Sequence, residues 1–397
     1  MTLREEALNM HKENRGKLAV KSKVAINDKR DLSLAYSPGV AEPCLEIEKD
    51  ETKAYMYTMK SNMVGVVTNG TAVLGLGAIG AQASLPVMEG KAVLFKNFAD
   101  VDAFPICLNT TDPDEVIKTV ELMAPTFGGI NLEDIKAPEC FYIEQTLKER
   151  LNIPVFHDDQ HGTAIVTLAG LVNALHLVKK TFAEIKVVIN GAGAAGIAIV
   201  KLLHYFGVKD MILCDSKGAV YKGRETSMNK EKEAVLAYTN KDNQTGSLRE
   251  VMKDADVFIG VSLKDLVDED MIRSMKRDPV IFAMANPDPE ITPERAKKAG
   301  ARVIGTGRSD YPNQVNNVLA FPGIFKGALA VNATDINEEM KVAAVHAIAE
   351  IIDKKDLHEE YVIPDPFNPQ VALAVAEAVS KAAIRSGVSQ GECIDQQ

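Results

Sequence analysis

Cysteine is scarce in this chain and nowhere paired. Cys44, Cys107, Cys140, Cys214 and Cys393 are scattered, with no Cys-x-x-Cys spacing. An odd count at wide intervals argues against a disulfide frame or a zinc knuckle and for reduced thiols in a cytoplasm. Long hydrophobic runs are missing too; none approaches the ~20 residues that span a bilayer. Met1 to Arg30 is charged throughout and lacks the apolar core of a signal peptide. Positive charge is not in excess. The net charge of -10 argues against a nucleic-acid surface, which needs a basic stripe. It leaves room for an acidic substrate, because local charge can oppose the global sum. No repeat and no low-complexity linker interrupts the chain. What remains is an ordinary globular composition over 397 residues, enough for two or three domains.

The first ~30 residues read as charged helix, with ends uncertain by a few residues. Up to Arg150, helices mix with strands expected at Asn62–Val67, Ala92–Phe95 and Ala103–Cys107. Thr111-Asp112-Pro113-Asp114 has the form of a helix start, with Pro just inside and acids in the first turn. A linking helix is expected over Thr163 to Lys180. Strands then alternate with helices: strands at Lys186–Asn190, Met211–Cys214, Val257–Gly260, Val280–Ala283 and Arg302–Ile304, helices at Ala194–Phe206 and Met271–Lys276. After Pro322 the pattern is helical, at Phe325–Val331, Glu338–Ile352 and Asn368–Ser386, with Pro364-Asp365-Pro366 as a loop. The alternation predicts an α/β protein with a doubly wound, Rossmann-type parallel sheet domain. An N-terminal α/β substrate domain (1–160) would precede the dinucleotide domain (161–325), and a helical C-terminal segment (326–397) would pack back on the body.

Gly191-Ala192-Gly193-Ala194-Ala195-Gly196 is Gly-x-Gly-x-x-Gly between a predicted strand and a predicted helix. Its glycines permit a tight turn and close approach of backbone to a pyrophosphate, and the helix N-terminus offers free N–H groups. The next strand ends in Asp215, near the spacing of a ribose-binding acid. A nucleotide-free glycine turn is the plainer alternative. Asp215 favours NAD; Ser216 and Lys217 follow at once and leave NADP open.

A second cluster is acidic. Ile153 to Phe156 reads as a buried strand and runs into His157-Asp158-Asp159-Gln160-His161. Upstream, Gly128-Gly129-Ile130-Asn131-Leu132 leads into Glu133-Asp134. Carboxylates brought together suit a hard cation, Mg²⁺ or Mn²⁺, and repel one another without one. A zinc helix of the His-Glu-x-x-His kind would need both histidines on one helix face. Pro154 and the strand-like run make a helix unexpected there. Helix capping is the simple reading for either Asp158 or Asp159 alone. Lys91, entering an apolar run, either snorkels or is functional. Tyr36, beside Pro38-Gly39, either packs or donates a proton.

Tyr36-Ser-Pro-Gly-Val, Val73-Leu-Gly-Leu-Gly77, Gly90-Lys91, Leu132-Glu133-Asp134, Asp158-Asp159-Gln-His-Gly-Thr-Ala164, Gly191 to Gly196, Ala285-Asn286-Pro287 and Asn316 to Gly323 stand in this order. The combination is highly specific, covers nearly the whole chain and resembles the malic enzymes in their short bacterial form. The phosphotransacetylase-like domain of longer bacterial relatives looks absent. The resemblance implies Glu133, Asp134 and Asp159 as ligands of Mg²⁺ or Mn²⁺, with Asp158 supporting the base or the metal shell. It implies Lys91 as general base, neutral at the start, and Tyr36 as general acid. Asn286 and Asn317 would contact the substrate carboxylate, with Asn286 also beside the cofactor. It implies oxidation of L-malate by NAD(P)⁺ and loss of CO₂ to give pyruvate, with Tyr36 protonating C3, in a homodimer. One departure is Ala72, where larger eukaryotic relatives carry an Arg for a substrate carboxylate. Alternatives are a malolactic enzyme that keeps NADH and releases lactate, a dehydrogenase without decarboxylation, and a non-catalytic malate or nucleotide sensor.

Overall fold

The computed structural model describes residues 2–73 and 75–391. Leu74 and Cys393 lie outside that range. Two parallel sheets organise the chain. The first is built from β1 (Met63–Thr68), β2 (Asp102–Cys107), β3 (Gly129–Leu132) and β4 (Val155–His157), in the order β2-β1-β3-β4. The second contains β5 (Lys186–Asn190), β6 (Asp210–Asp215), β7 (Gly218–Ala219), β8 (Val257–Gly260), β9 (Val280–Ala283) and β10 (Val303–Thr306). Its order is β10-β9-β8-β5-β6-β7, parallel except for β7. Strands β1, β3, β8 and β9 are buried along their whole length. Fully buried parallel strands need continuous Val, Ile and Phe, which is how these segments read. The second sheet is doubly wound, as the strand–helix alternation implies. Its order reverses beside β5, so a crevice opens at the carboxyl ends of β5 and β8.

The charged N-terminal helix is confined to Leu3–Asn14, and two helices that carry the site also differ from the sequence-based reading. Lys91 does not enter a strand. Residues Ala81–Ala99 form one helix, and the strand expected at Ala92–Phe95 is its last part. The buried residues Ala81, Ser84, Met88, Lys91, Ala92 and Phe95 recur at helical spacing. Pro86 sits inside this helix and hides its continuity in the sequence. The second helix spans Asp158–Val178 and begins five residues before Thr163, directly after the three residues of β4. Its first turn carries Asp158 and Asp159, where the positive end of the helix dipole favours carboxylates. This helix has the length and composition of a membrane span, yet 67% of that apolar window is buried inside the protein. It is a core helix.

Helices Phe321–Ala330, Glu338–Ala349 and Gln370–Arg385 pack on one another. They also pack on the Ala81–Ala99 and Asp158–Val178 helices, so the C-terminal segment returns to the first sheet. One continuous core therefore runs from Val64 and Phe95 through Leu168 to Val375. Asn173 is a polar tie within it. Its buried amide donates to Ala349 O and Val362 O, both at 3.0 Å. Asn173→Ala leaves two buried carbonyls without a donor, a loss of about 1–3 kcal/mol. The expected result is a lower midpoint of urea unfolding with the native circular dichroism spectrum kept; an unchanged midpoint would show the tie to be dispensable.

Candidate active site

The first sheet is parallel, so β3 and β4 deliver Glu133-Asp134 and Asp158-Asp159 to the same edge. The Ala81–Ala99 helix brings Lys91 to meet them. Lys91 Nζ lies 2.6 Å from Asp158 Oδ2 and 2.8 Å from Glu133 Oε1, with all three side chains buried. The ammonium also stands 4.2 Å from the ring centroid of Phe321. Asn131 donates to Glu133 Oε2 at 2.8 Å, and the Asp134 N–H donates to Asp159 Oδ2 at 2.8 Å. Asn317 Nδ2 donates to Asp158 Oδ2 as well. Gly162 allows the helix turn to close over this point: a Cβ there would fall 1.9 Å from Asp158 Oδ1.

Glu133, Asp134 and Asp159 present oxygens that all lie within 4.8 Å of one another. That all-oxygen set fits a hard divalent cation. The charge balance also fits. Among the described residues, Glu133 and Asp158 pair with the Lys91 ammonium, and Asp159 lies within its influence. Burial pushes the Asp158 carboxyl up to about 7 against the pull of Lys91, with repulsion from Glu133 adding to the rise. Burial likewise raises Glu133 and Asp159, opposed by Lys91 and helped by their acidic neighbours. A bound cation would relieve that repulsion. Burial pulls Lys91 down, but the Asp158 and Glu133 carboxylates outweigh it and hold the amine above its ordinary value. These carboxylates by themselves favour the protonated amine; the neutral Lys91 expected from sequence belongs to the site with a divalent cation beside it.

The histidines do not form a zinc pair. A helix does start at Asp158, contrary to expectation, but His157 belongs to β4 and precedes it. His161 Nε2 is engaged by Glu144, at 2.9 Å to Oε1. Glu144 also accepts from the His157 N–H at 2.9 Å and from Gln160 Nε2 at 3.2 Å. It thereby braces the turn that carries Asp158 and Asp159. His157 Nε2 is 3.7 Å from Asp159 Oδ2, and burial lowers its pKa to about 4, so it is neutral. Asn131, Glu144, Gly162 and Phe321 were not singled out as site residues by sequence. Gly162, Phe321 and Asn131 stood in segments that pointed here, namely Asp158 to Ala164, Asn316 to Gly323 and the run into Glu133-Asp134; Glu144 did not.

Among the described residues, two predicted residues make no hydrogen bond to the carboxylate cluster. Tyr36 caps the helix Lys29–Ala35 and is 70% exposed. Asn286 lies just beyond β9, and its amide donates weakly to Met284 O at 3.4 Å. Ala72 is close by: its N–H donates to Asp134 O at 2.9 Å.

The Gly191–Gly196 turn has the predicted form. Gly191 has φ +122°, and a Cβ on it would meet Val261 O at 2.6 Å. A Cβ on Gly196 would strike Gly191 O, which is the close helix–strand packing the third glycine permits. Gly193 is open, and the helix Ala194–Tyr205 has no side-chain cap, so its first N–H groups face outward for phosphates. This cradle fits a dinucleotide. Asp215 is less available than expected. Its carboxylate accepts from both Arg224 Nη atoms, from Lys232 Nζ at 2.7 Å and from the Lys217 N–H at 2.8 Å. Those donors fill the roughly four acceptor positions of a carboxylate.

A doubly wound dinucleotide domain in one chain with a buried lysine and a carboxylate cluster defines an NAD(P)-dependent oxidoreductase. Models of the malic enzyme N-terminal domain and of the malic enzyme NAD-binding domain match residues 15–148 and 160–384. The bifunctional malic/malolactic enzyme of Bacillus subtilis is 66% identical over 98% of this chain and 95% of its own length. The NADP-dependent malic enzyme of Escherichia coli is 53% identical over 98% of this chain, which spans 53% of that longer protein. The crystal structure of malic enzyme from Pyrococcus horikoshii superposes with a TM-score of 0.95 at 48% identity, over 98% of this chain and 93% of that one. The chain belongs to the malic enzyme family.

The Gly162 contact gives a direct test. Gly162→Ala forces a methyl against Asp158 and should disturb Lys91 without emptying a core position. We expect a loss of turnover of about a hundred-fold, since small misplacements of a catalytic group have that effect, with an unchanged fold by circular dichroism. Full activity in this variant would show that Asp158 need not sit where it does.

Proposed function

We propose that this protein oxidises and decarboxylates L-malate to pyruvate and CO₂ while reducing NAD(P)⁺, with Mg²⁺ or Mn²⁺. The observation that carries this reading is the buried Lys91 held between Asp158 and Glu133, beside Asp134 and Asp159. Glu133, Asp134 and Asp159 would hold the cation. When bound, the cation supplies Lewis acidity toward the substrate hydroxyl and, after oxidation, its carbonyl oxygen, and the dinucleotide accepts hydride. Lys91 must first pass its proton to Asp158, its hydrogen-bond partner. A cation held by Glu133, Asp134 and Asp159 would favour this by weakening the pull of Glu133 on the ammonium. Lys91 then takes the C2 hydroxyl proton, and Asp158 and Asn317 fix its position. Asn317 and Asn286 would hold a substrate carboxylate, with the Ala72 backbone near the place of the missing Arg. Tyr36 would return a proton to C3 after CO₂ leaves.

NAD⁺ is the proposed main cofactor, with NADP⁺ tolerated, because Arg224 and Lys232 offset the charge of Asp215. The Bacillus subtilis relative supports a second activity, in which NADH is kept and pyruvate is reduced to lactate. The decisive assay supplies malate with Mn²⁺ and either cofactor, and measures NAD(P)H, pyruvate and lactate separately. We expect pyruvate and NADH in equal amounts and no product after chelation of the metal. Lactate without free NADH would favour the malolactic route, a strong NADP⁺ preference would overturn the cofactor assignment, and no malate consumption would sink the reading.

A homodimer is also proposed. The helices Leu3–Asn14, Lys29–Ala35 and Ala41–Lys49 bury no residue within the chain. They carry exposed Leu3, Leu8, Leu34, Tyr36 and Leu45. A second copy would cover this apolar surface and would bring Tyr36 to the partner's Lys91 site. Segments 1–160, 161–325 and 326–397 are proposed as the substrate, dinucleotide and C-terminal helical parts, and a cytoplasmic location fits the charged N-terminus. Mixing inactive Lys91→Ala and Tyr36→Phe subunits tests the shared site. If Tyr36 serves the partner, the exchanged equimolar mixture should recover about a quarter of the wild-type rate, one live site in each heterodimer and heterodimers in about half of the dimers. No recovery after subunit exchange would place Tyr36 in its own subunit's site.

A further inference from the structure

Glu290 is wholly buried, with 0% exposure, and lies outside the carboxylate cluster. Among the described residues no Lys, Arg or His pairs with it. Its carboxylate instead accepts two backbone N–H groups, Ser262 N at 3.0 Å on Oε1 and Ala285 N at 3.0 Å on Oε2. A buried carboxylate is costly unless it is well hydrogen-bonded, so this placement has to serve something. Ser262 follows the end of β8 and Ala285 follows the end of β9. One side chain thus joins two loops at the carboxyl edge of the sheet, where the switch-point crevice lies.

The rest of the local geometry has the same sense. Val267 N donates to Glu290 O and Asp265 N to Pro289 O, so the two loops are laced along their length. Val261 N donates to Asn190 O, and Asn190 Nδ2 donates to Ser262 Oγ at 2.8 Å, which ties the first loop to the dinucleotide turn. The second loop begins with Met284-Ala285-Asn286, so the clamped N–H belongs to the residue before Asn286. Gly260 makes room beneath: a Cβ there would lie 2.4 Å from the Glu290 carboxyl carbon.

We propose that Glu290 is a positioning residue for the reaction, a clamp that holds the β8 loop and the Asn286 loop in fixed register across the cofactor crevice. It touches neither substrate nor cofactor. It acts through Asn286 on the substrate side and through Ser262 and Val261 on the dinucleotide turn. The proposal rests on the malate-oxidising reading given above. Glu290→Gln keeps the size of the side chain but turns an NH₂ toward one of the two N–H donors, so only one of them keeps an acceptor. Gly260→Ala pushes on the same carboxylate from below.

The test is a double-mutant cycle on the full chain. Each single variant should lower kcat about ten-fold or more, with the dissociation constant for NADH, read by its fluorescence, within about three-fold of wild type. Because both changes break one clamp, the Gly260→Ala/Glu290→Gln double variant should be no worse than the poorer single within about two-fold. Amide hydrogen exchange at Ser262 and Ala285 should quicken in both singles, a readout that does not depend on turnover. Normal kcat with unchanged exchange in Glu290→Gln, or losses that multiply in the double variant, would overturn the clamp. Failure of wild-type protein to consume malate would instead remove the functional reading, and the exchange measurement would then decide the clamp alone.

Discussion

The arrangement around which the site is built is the Lys91 ammonium buried between Asp158 and Glu133. Breaking a buried ion pair by removing one partner costs about 3–5 kcal/mol, because the other charge is left stranded. Three elements must therefore hold their places together: the Ala81–Ala99 helix, the end of β3, and the first turn of the Asp158–Val178 helix. Phe321 and Asn317, from the segment that opens the C-terminal helices, close the same point. The long core helix then carries this fixed turn into the body of the protein, where Asn173 ties it to the returning C-terminal segment.

Support for the site is layered outward from that contact. Glu144 braces the strand–helix junction by accepting from the His157 backbone and from Gln160 and His161. On the dinucleotide side, Asp215 is braced by Arg224 and Lys232. Glu290 has a different solution, because it meets only backbone N–H groups. These three acids are held by different partners: histidine and amide for Glu144, two cations for Asp215, two loops for Glu290. None of these pairings belongs to a motif read from the sequence.

Much of the fold was readable because parallel, buried strands leave continuous apolar runs. β5, β8 and β9 coincide with their predicted spans, and the glycine turn follows β5 as its spacing requires. The Ala81–Ala99 helix was misread because Pro86 interrupts it and Ala92-Val-Leu-Phe95 is too short to show a period. The start of the Asp158 helix was misplaced for a related reason: β4 is only three residues long and passes into the helix without a loop. Asn286 was readable only through resemblance, and Tyr36 by residue type alone stayed between packing and proton donation.

The sequence by itself determined which chemistry was available. Residue type and local spacing were enough for a pyrophosphate turn, an acidic cluster suited to a hard cation, one lysine and the malic enzyme resemblance. Tertiary structure decided how those groups act on one another. It joined Lys91 to Asp158 and Glu133 across the chain, engaged Asp215 internally and left Tyr36 exposed. The physical reason is that charge state and hydrogen bonding depend on distance and burial, and both are set by contacts between segments far apart in sequence.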